Sequence, residues 1–346
     1  MRGRSKLISA WAFAVVMACA AAASAQDVKH YRFAYDQPRN TGYSIAGDLF
    51  ADKLKELSKG TMLIDQYPGA QLGQEPQILQ LVKAGDVDFA IVSSANTATI
   101  SPQAGVMSLH FLVGKKEMYV PYDNFKVNDT SVKYADLIKP NTINPDYERY
   151  ELHRVWVIEG NLKPGVRHIY SKKEIHKVDD IKAMRIRVQA TATEDTMFPA
   201  YGAQTVHMPF GSVYTSLQTG VVEAAENSIN VYLVNKHYEV APVLSITEHE
   251  ANNALVFISD KLWQSLSAEQ RQWVLAAAAE VSTKEPAKAF ELERAAATKL
   301  KSLGVKIVED VDKKSFTAIA DPYLDKLAKE LGPHAEKIKN LISAIN

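Results

Sequence analysis

MPFGSVYTSLQTGVVEAAEN, residues 208–227, is the stretch on which the fold reading turns. Ser212 stands where a helix cap belongs, the helix ends at Gly220, and an apolar strand begins one or two residues later and ends on the polar pair Glu226-Asn227. The segment Leu217-Gln218-Thr219-Gly220-Val221-Val222-Glu223-Ala224-Ala225 repeats the pattern of Val82-Lys83-Ala84-Gly85-Asp86-Val87-Asp88-Phe89-Ala90. Two helix–glycine–strand units, about 135 residues apart, argue for two similar α/β lobes, each with a parallel sheet covered by helices.

Upstream of the earlier unit the alternation continues. His30–Tyr35 reads as a strand, and Ile45, Leu49, Phe50, Leu54 and Leu57 form one helical stripe closed by Gly60. Thr61–Tyr67 reads as a second strand stopped by Pro68-Gly69, Ile78–Val82 as a second helix, and Val87–Ser93 as a buried strand. Downstream, Ala254–Ser259 is a further strand, and Ser267-Ala268-Glu269-Gln270 is a capping box opening a long alanine-rich helix. Pro286 is expected to kink or split that helix, because proline removes a donor and crowds the preceding turn. Helical pattern resumes over Ala287–Leu303, followed by a strand at Val305–Val308 and two short helices. Lys115–Tyr150 keeps no steady period and reads as an extended surface segment.

At the N-terminus, Arg2, Arg4 and Lys6 precede an apolar run from Leu7 to Ala23, and Ala23-Ser24-Ala25 offers a small-x-small cleavage site. Residues 1–25 therefore read as a secretion signal. A transmembrane anchor is the competing reading, disfavoured by the cleavage site and the lack of a stop-transfer flank. Val16-Met17-Ala18-Cys19 faintly resembles a lipoprotein box, with Met17 ill-suited to it. Cleavage takes the formal charge from zero to −3 and removes the only cysteine, Cys19, so ordinary apolar cores must hold the mature fold. No basic stripe suggests nucleic acid.

The chain has no dinucleotide or phosphate loop, no Gly-x-Ser-x-Gly elbow and no His-Glu-x-x-His. Glu248-His249-Glu250 is the densest group of ligand-type residues. Adjacent strand residues face opposite ways, so the trio is not expected to close on one metal without a sharp bend. Neither a metal nor a cofactor is expected. Gly165–Asn227 carries more chemistry. Arg167 lies on a strand, and in Met184-Arg185-Ile186-Arg187-Val188 the two arginines share one face while Ile186 and Val188 go to the core. Ligands of open α/β sheets bind beyond the carboxyl ends of strands, where Arg167, Asn227 and one of the Arg185/Arg187 pair could meet.

These residues resemble the extracytoplasmic solute receptors of tripartite ATP-independent periplasmic (TRAP) transporters, of the DctP/SiaP type. The resemblance rests on Gln71-Leu72-Gly73, Gly85-x-Val87-Asp88, Gly165-x-Arg167, Arg187-Val188, the 208–222 run, Glu226-Asn227 and Lys236-x-Tyr238-Glu239-Val240, and spans essentially the whole mature chain. It implies a two-lobed periplasmic-binding-protein fold in which crossing strands and a long kinked helix join two α/β lobes. Lobe I is expected over 27–164 plus about 253–292, and lobe II over 165–252 plus about 293–346. The family's substrate-carboxylate arginine falls on Arg187, its second ligand-facing arginine on Arg167, its pocket asparagine on Asn227 and its pocket aromatic on Phe210. Asp36, Glu75 and Ser93 fall where first-lobe polar contacts are often placed. Ser93 stands where some sugar-acid receptors carry a carboxylate, and the 115–150 region is about a dozen residues longer than usual.

The implied function is capture of a small organic carboxylate, sugar acid or dicarboxylate, by a monomer in the periplasm, for delivery to a small and a large membrane subunit. An arginine fork suits that task because it gives two parallel charge-assisted bonds and stays ionised. Two alternatives remain open on sequence: a receptor serving an ATP-driven importer or a sensor, and a secreted hydrolase or lyase using Glu248, His249 and Arg187.

Overall fold

Parallel pairing begins at the first strand, β1 (Lys29–Ala34), which runs beside β2 (Met62–Tyr67) and β3 (Phe89–Ser93). The computed structural model describes residues 27–100, 102–112, 126–127, 130–131 and 155–343. The signal segment, Cys19 and nearly all of Lys115–Tyr150 lie outside them; within the latter stretch the short β4 (Lys126–Val127) pairs with β5 (Thr130–Ser131). The connecting helices are Gly42–Leu57, with Phe50 and Leu54 fully buried, and Glu75–Ala84. The second ends at Gly85, whose φ of 77° is left-handed. A side chain there would strain the backbone, which is why the turn takes glycine.

The second unit has the same design. Strand β7 (Arg185–Val188) pairs in parallel with β8 (Gln204–His207) and β9 (Ala224–Asn227), and the helix Val213–Thr219 ends at Gly220 with φ again 77°. Ser212 occupies the N-cap position, though its side chain makes no capping bond.

Two strands of 17 residues join the units: β6 (Val155–Ser171) and β10 (Val243–Ser259). They pair antiparallel along their length, and β11 (Lys306–Val308) lies in parallel on β10. The sheet order is β2-β1-β3-β10-β6-β9-β7-β8. Sequence pattern revealed only the Ala254–Ser259 end of β10. The rest is hidden because the register shifts four times, one irregularity falling between Ser245 and Glu250, which breaks the period of two.

Separate apolar cores lie at the two ends of the sheet. Phe33, Phe50, Phe89, Ile91 and Val256 belong to one, with Ile78, Val82 and Val92 on the opposite face. At the far end Leu217, Tyr232 and Leu244 cover one face, and Ile169, Ile186, Phe198 and Phe316 the other. Val106, Met107, Leu109 and Leu112 pack into this last cluster.

Ser267 caps the helix Ala268–Ser302 through the expected box, accepting from Gln270 N at 3.2 Å. Pro286 does not split it: the helix runs unbroken for 35 residues, and the Pro286 ring is buried. Packing against the sheet and the Gly42–Leu57 helix offsets the lost backbone bond. Of the two closing helices, Lys313–Glu330 has 18 residues and is not short, whereas Pro333–Ser343 has 11. No described helix is long and apolar enough to cross a membrane.

Candidate functional site

The carboxyl ends of four strands converge on one cavity of about 350 Å³. Asp36 follows β1, Ser93 ends β3, Gln189 follows β7 and Asn227 ends β9. Glu75, from the first turn of its helix, Arg167, from β6, and Phe210, after β8, complete the wall. All seven residues singled out on sequence, Arg187, Arg167, Asn227, Phe210, Asp36, Glu75 and Ser93, line this cavity.

Alternation along β7 behaves as read: Arg185 is exposed, held by Glu223 and the Gly220 carbonyl, while Arg187 is 4% exposed. Arg187 donates from Nε (3.2 Å) and Nη2 (3.0 Å) to the Met208 carbonyl, and its guanidinium carbon lies 5.9 Å from the Phe210 ring centroid. No carboxylate of the described residues lies within ion-pair distance. Burial pulls the guanidinium below its ordinary pKa, opposed by Glu226 and Asp36, yet arginine stays ionised. The result is a buried cation with no carboxylate of the described residues within ion-pair distance.

Arg167 is arranged differently. Its Nε and Nη2 grip the Glu226 carboxylate, Nη2 also reaches the Glu226 carbonyl (3.1 Å), and Nε lies 3.4 Å from Glu250. Burial opposes its charge, but Glu226 and Glu250 outweigh that and hold it above its usual value. Burial likewise resists the Glu226 anion, and Arg167 wins, bringing its carboxyl down to about 2. One arginine is thus satisfied inside the protein and the other is not.

Asn227 accepts the Ser228 amide at 2.9 Å through Oδ1, and its Nδ2 makes no bond to described residues. On the opposite wall Glu75 is fully engaged: it accepts from Tyr43 (2.8 Å), the Ser93 amide (3.0 Å), Ser93 Oγ (2.6 Å) and Asn96 (2.7 Å). Asp36, 7% exposed, accepts from Gln37 at 3.1 Å; burial and then Glu75 push its carboxyl well above the usual range. Ser93 Oγ also accepts from Gln189 Nε2 at 3.0 Å, and Gln74 Oε1 accepts from the Gly211 amide at 3.2 Å. These two bonds cross the cavity mouth. Gln189 and Gln74 were not anticipated, although Gln189 lies two residues after Arg187 and so on the same strand face.

The Glu248-His249-Glu250 expectation needs correction. Glu248 has φ of 49°, and the register slips between Ser245 and Glu250, so the strand bends where strict alternation was assumed. Glu248 turns to Lys313, while His249 and Glu250 are both buried rather than solvated. His249 and Glu250 meet His110 behind the cavity, with one donor atom from each within 4.8 Å of the others. Neither Glu248 nor His249 lines the cavity with Arg187, so the hydrolase trio is not assembled.

Residues 33–331 match the bacterial extracellular solute-binding proteins of family 7, DctP. The chain belongs to that family. This DctP-type TRAP receptor is 26% identical over 310 residues to the Escherichia coli 2,3-diketo-L-gulonate-binding periplasmic protein YiaO, covering 89% of this chain and 90% of that one. Its fold is that of a TRAP periplasmic solute-binding protein from Xanthobacter autotrophicus with bound β-D-galacturonate (TM-score 0.79, 27% identity, 91% of this chain, 100% of that one). A second, from Chromohalobacter salexigens with bound D-glucuronate, has TM-score 0.78, 27% identity and coverage of 91% and 99%. The receptor is therefore a two-lobed α/β protein of an extracytoplasmic solute-binding family, and these relatives are binding proteins rather than enzymes.

Proposed function

We propose that this receptor captures a hydroxylated monocarboxylate, of the sugar-acid class, between its lobes in the periplasm and delivers it to the two membrane subunits of a TRAP transporter. Lobe I takes 27–164 plus about 253–292, except that Val106, Met107, Leu109 and Leu112 pack into the core of lobe II, which takes 165–252 plus about 293–346, and the segment 1–25 is removed on export. The observation that carries this reading is Arg187, a buried guanidinium at the cavity with no carboxylate partner among the described residues. A ligand carboxylate completes it with two parallel bonds, and Phe210 shields the pair from water. Asn227 Nδ2 and the second lobe's Arg167 edge supply further donors.

The far wall supports the ligand class. Asp36, its carboxyl pushed up by burial, can donate to or accept from a hydroxyl, Glu75 is spent on Tyr43, Ser93 and Asn96, and neither offers a cation to a second carboxylate. This favours sugar acids over dicarboxylates and agrees with the uronates bound by the two solved relatives.

The test begins with a thermal-shift panel of uronates, aldonates and C4-dicarboxylates, in which hydroxylated monoacids are expected to raise the melting temperature. For the best ligand, Arg187→Ala leaves its carboxylate desolvated and unpaired, costing about 3–5 kcal/mol, or roughly two to three and a half decades in Kd by calorimetry. A loss smaller than about tenfold overturns the role of Arg187. Stabilisation by dicarboxylates alone overturns the ligand class.

A further inference from the structure

Behind Arg167, on the side away from the ligand, six ionisable groups share one buried space: Glu194, Glu226, Glu250, His110, His249 and Arg167. Three elements supply the new ones. Glu194 lies in the first turn of the helix Ala192–Ala200, His110 follows the short helix Pro102–Ser108, and His249 and Glu250 sit at the β10 bend. Three carboxyl groups face one guanidinium, which Glu226 already holds, and burial pushes the Glu194 carboxyl up to about 8 and that of Glu250 well above its ordinary range, so without a metal both hold protons at pH 7. Burial pulls both histidines down to about 4, leaving them neutral at pH 7.

Three polar atoms here have no hydrogen-bond partner among the described residues: Glu194 Oε2, Glu250 Oε2 and His249 Nε2. The last is 3.7 Å from Glu226 Oε2, too far for a hydrogen bond. Buried orphans are rare singly, and three facing one space give a site able to take a further ligand. The rings are oriented as metal ligands are. A hydroxyl holds Nδ1 of each, Tyr201 on His110 (3.1 Å) and Thr247 on His249 (2.8 Å), which turns both Nε2 atoms towards the carboxyl groups. His110 Nε2 also lies 3.4 Å from Glu194 Oε1.

We propose that His110, His249 and Glu250 bind a divalent transition metal of the zinc class, with Glu194 as fourth ligand. Two imidazoles and two carboxylates are a donor set that zinc accepts in tetrahedral geometry. The three donors already lie within 4.8 Å of one another, and bonds of about 2.1 Å require only a modest contraction. A divalent ion would take the place of the protons on Glu194 and Glu250, which are released on binding. Arg167 remains on Glu226, which stands between the two cations. A fully buried site fills during folding, and loading depends on neutral histidines and ionised carboxylates.

The mature chain, unfolded in guanidinium with chelator and refolded with or without zinc chloride, provides the test after desalting. One zinc per chain is expected by mass spectrometry, with a higher melting temperature for the zinc-refolded sample. Refolding with cobalt is expected to give the visible absorption of a tetrahedral nitrogen–oxygen site. His110→Gln and His249→Gln are each expected to lower the retained zinc at least tenfold. Below about 0.1 zinc per chain after zinc refolding, the two surplus carboxyls hold protons and the proposal fails. Retention unchanged in both variants, or abolished by His30→Gln or His176→Gln at the exposed ion pairs with Asp65 and Glu174, places the metal elsewhere and also overturns it. None of these readouts uses the transported ligand, so the outcome is separable from that of Arg187→Ala.

Discussion

Arg167 and Arg187 show how one residue type takes opposite roles according to what its neighbours leave unpaired. Removing Arg167's bidentate partner leaves Glu250, 3.4 Å from Nε, as its remaining carboxylate, so Glu226→Gln is expected to cost about 1.5–3 kcal/mol in urea denaturation. The buried place of Arg187 at the cavity was legible because Met184–Val188 alternates and the 208–227 run supplied the family resemblance. The pairing of Arg167 was not legible, since it depends on β6 lying beside β9 with Ile169 opposite Glu226, a contact almost 60 residues long in sequence. His237 offers a second residue-scale test. Burial, and then the charge of Arg187, lower its pKa from 6.5 to about 3, and its ring bonds Tyr170 at 2.8 Å. The unfolded chain takes up a proton at this residue below pH 6.5 while the folded one does not, so its contribution to stability is lost as pH falls through that window. Between pH 8 and pH 5 that loss is about 2 kcal/mol. His237→Gln is expected to narrow the stability difference between these pH values by that amount, as read by urea titration at each.

Among the elements, the glycine-ended helices and short parallel strands were visible in the sequence, because each keeps its period from cap to turn. The long β6 and β10 were not, since bulges interrupt the alternation of β10 and part of β6 follows a stretch without pattern. The helix is not split at Pro286 for a related reason: local rules count the missing backbone bond but not the burial of the ring. Gly165 marks the point where β6 passes between the two halves of the sheet. Its φ is 139°, and a Cβ there would sit 2.6 Å from Ser228 Cβ and 2.9 Å from Glu293 Oε1. Gly220 also has positive φ, 77°, but nothing lies within 4 Å of a Cβ built there. Gly220→Ala is therefore expected to cost about 1–2 kcal/mol from backbone strain alone. Gly165→Ala adds overpacking of about 1–3 kcal/mol. Equal midpoints for the two variants in denaturant would contradict this ranking.

Taken whole, the molecule holds its cavity between two halves that touch across it through Ser93–Gln189 and Gln74–Gly211. A ligand that spans the cavity favours the closed arrangement and stabilises the native state by about 2.7 kcal/mol at a hundredfold excess over Kd. Scanning calorimetry is expected to show a single endotherm that moves upward intact with ligand, and two endotherms of which only one moves would contradict it. The expectation follows from the pair β6 and β10, whose backbone carries hydrogen bonds for both ends of the sheet. Melting either end strips the inner edge of the other, so neither can survive as a stable fragment. The seam that joins the two halves is therefore also the seam along which the protein cannot be cut.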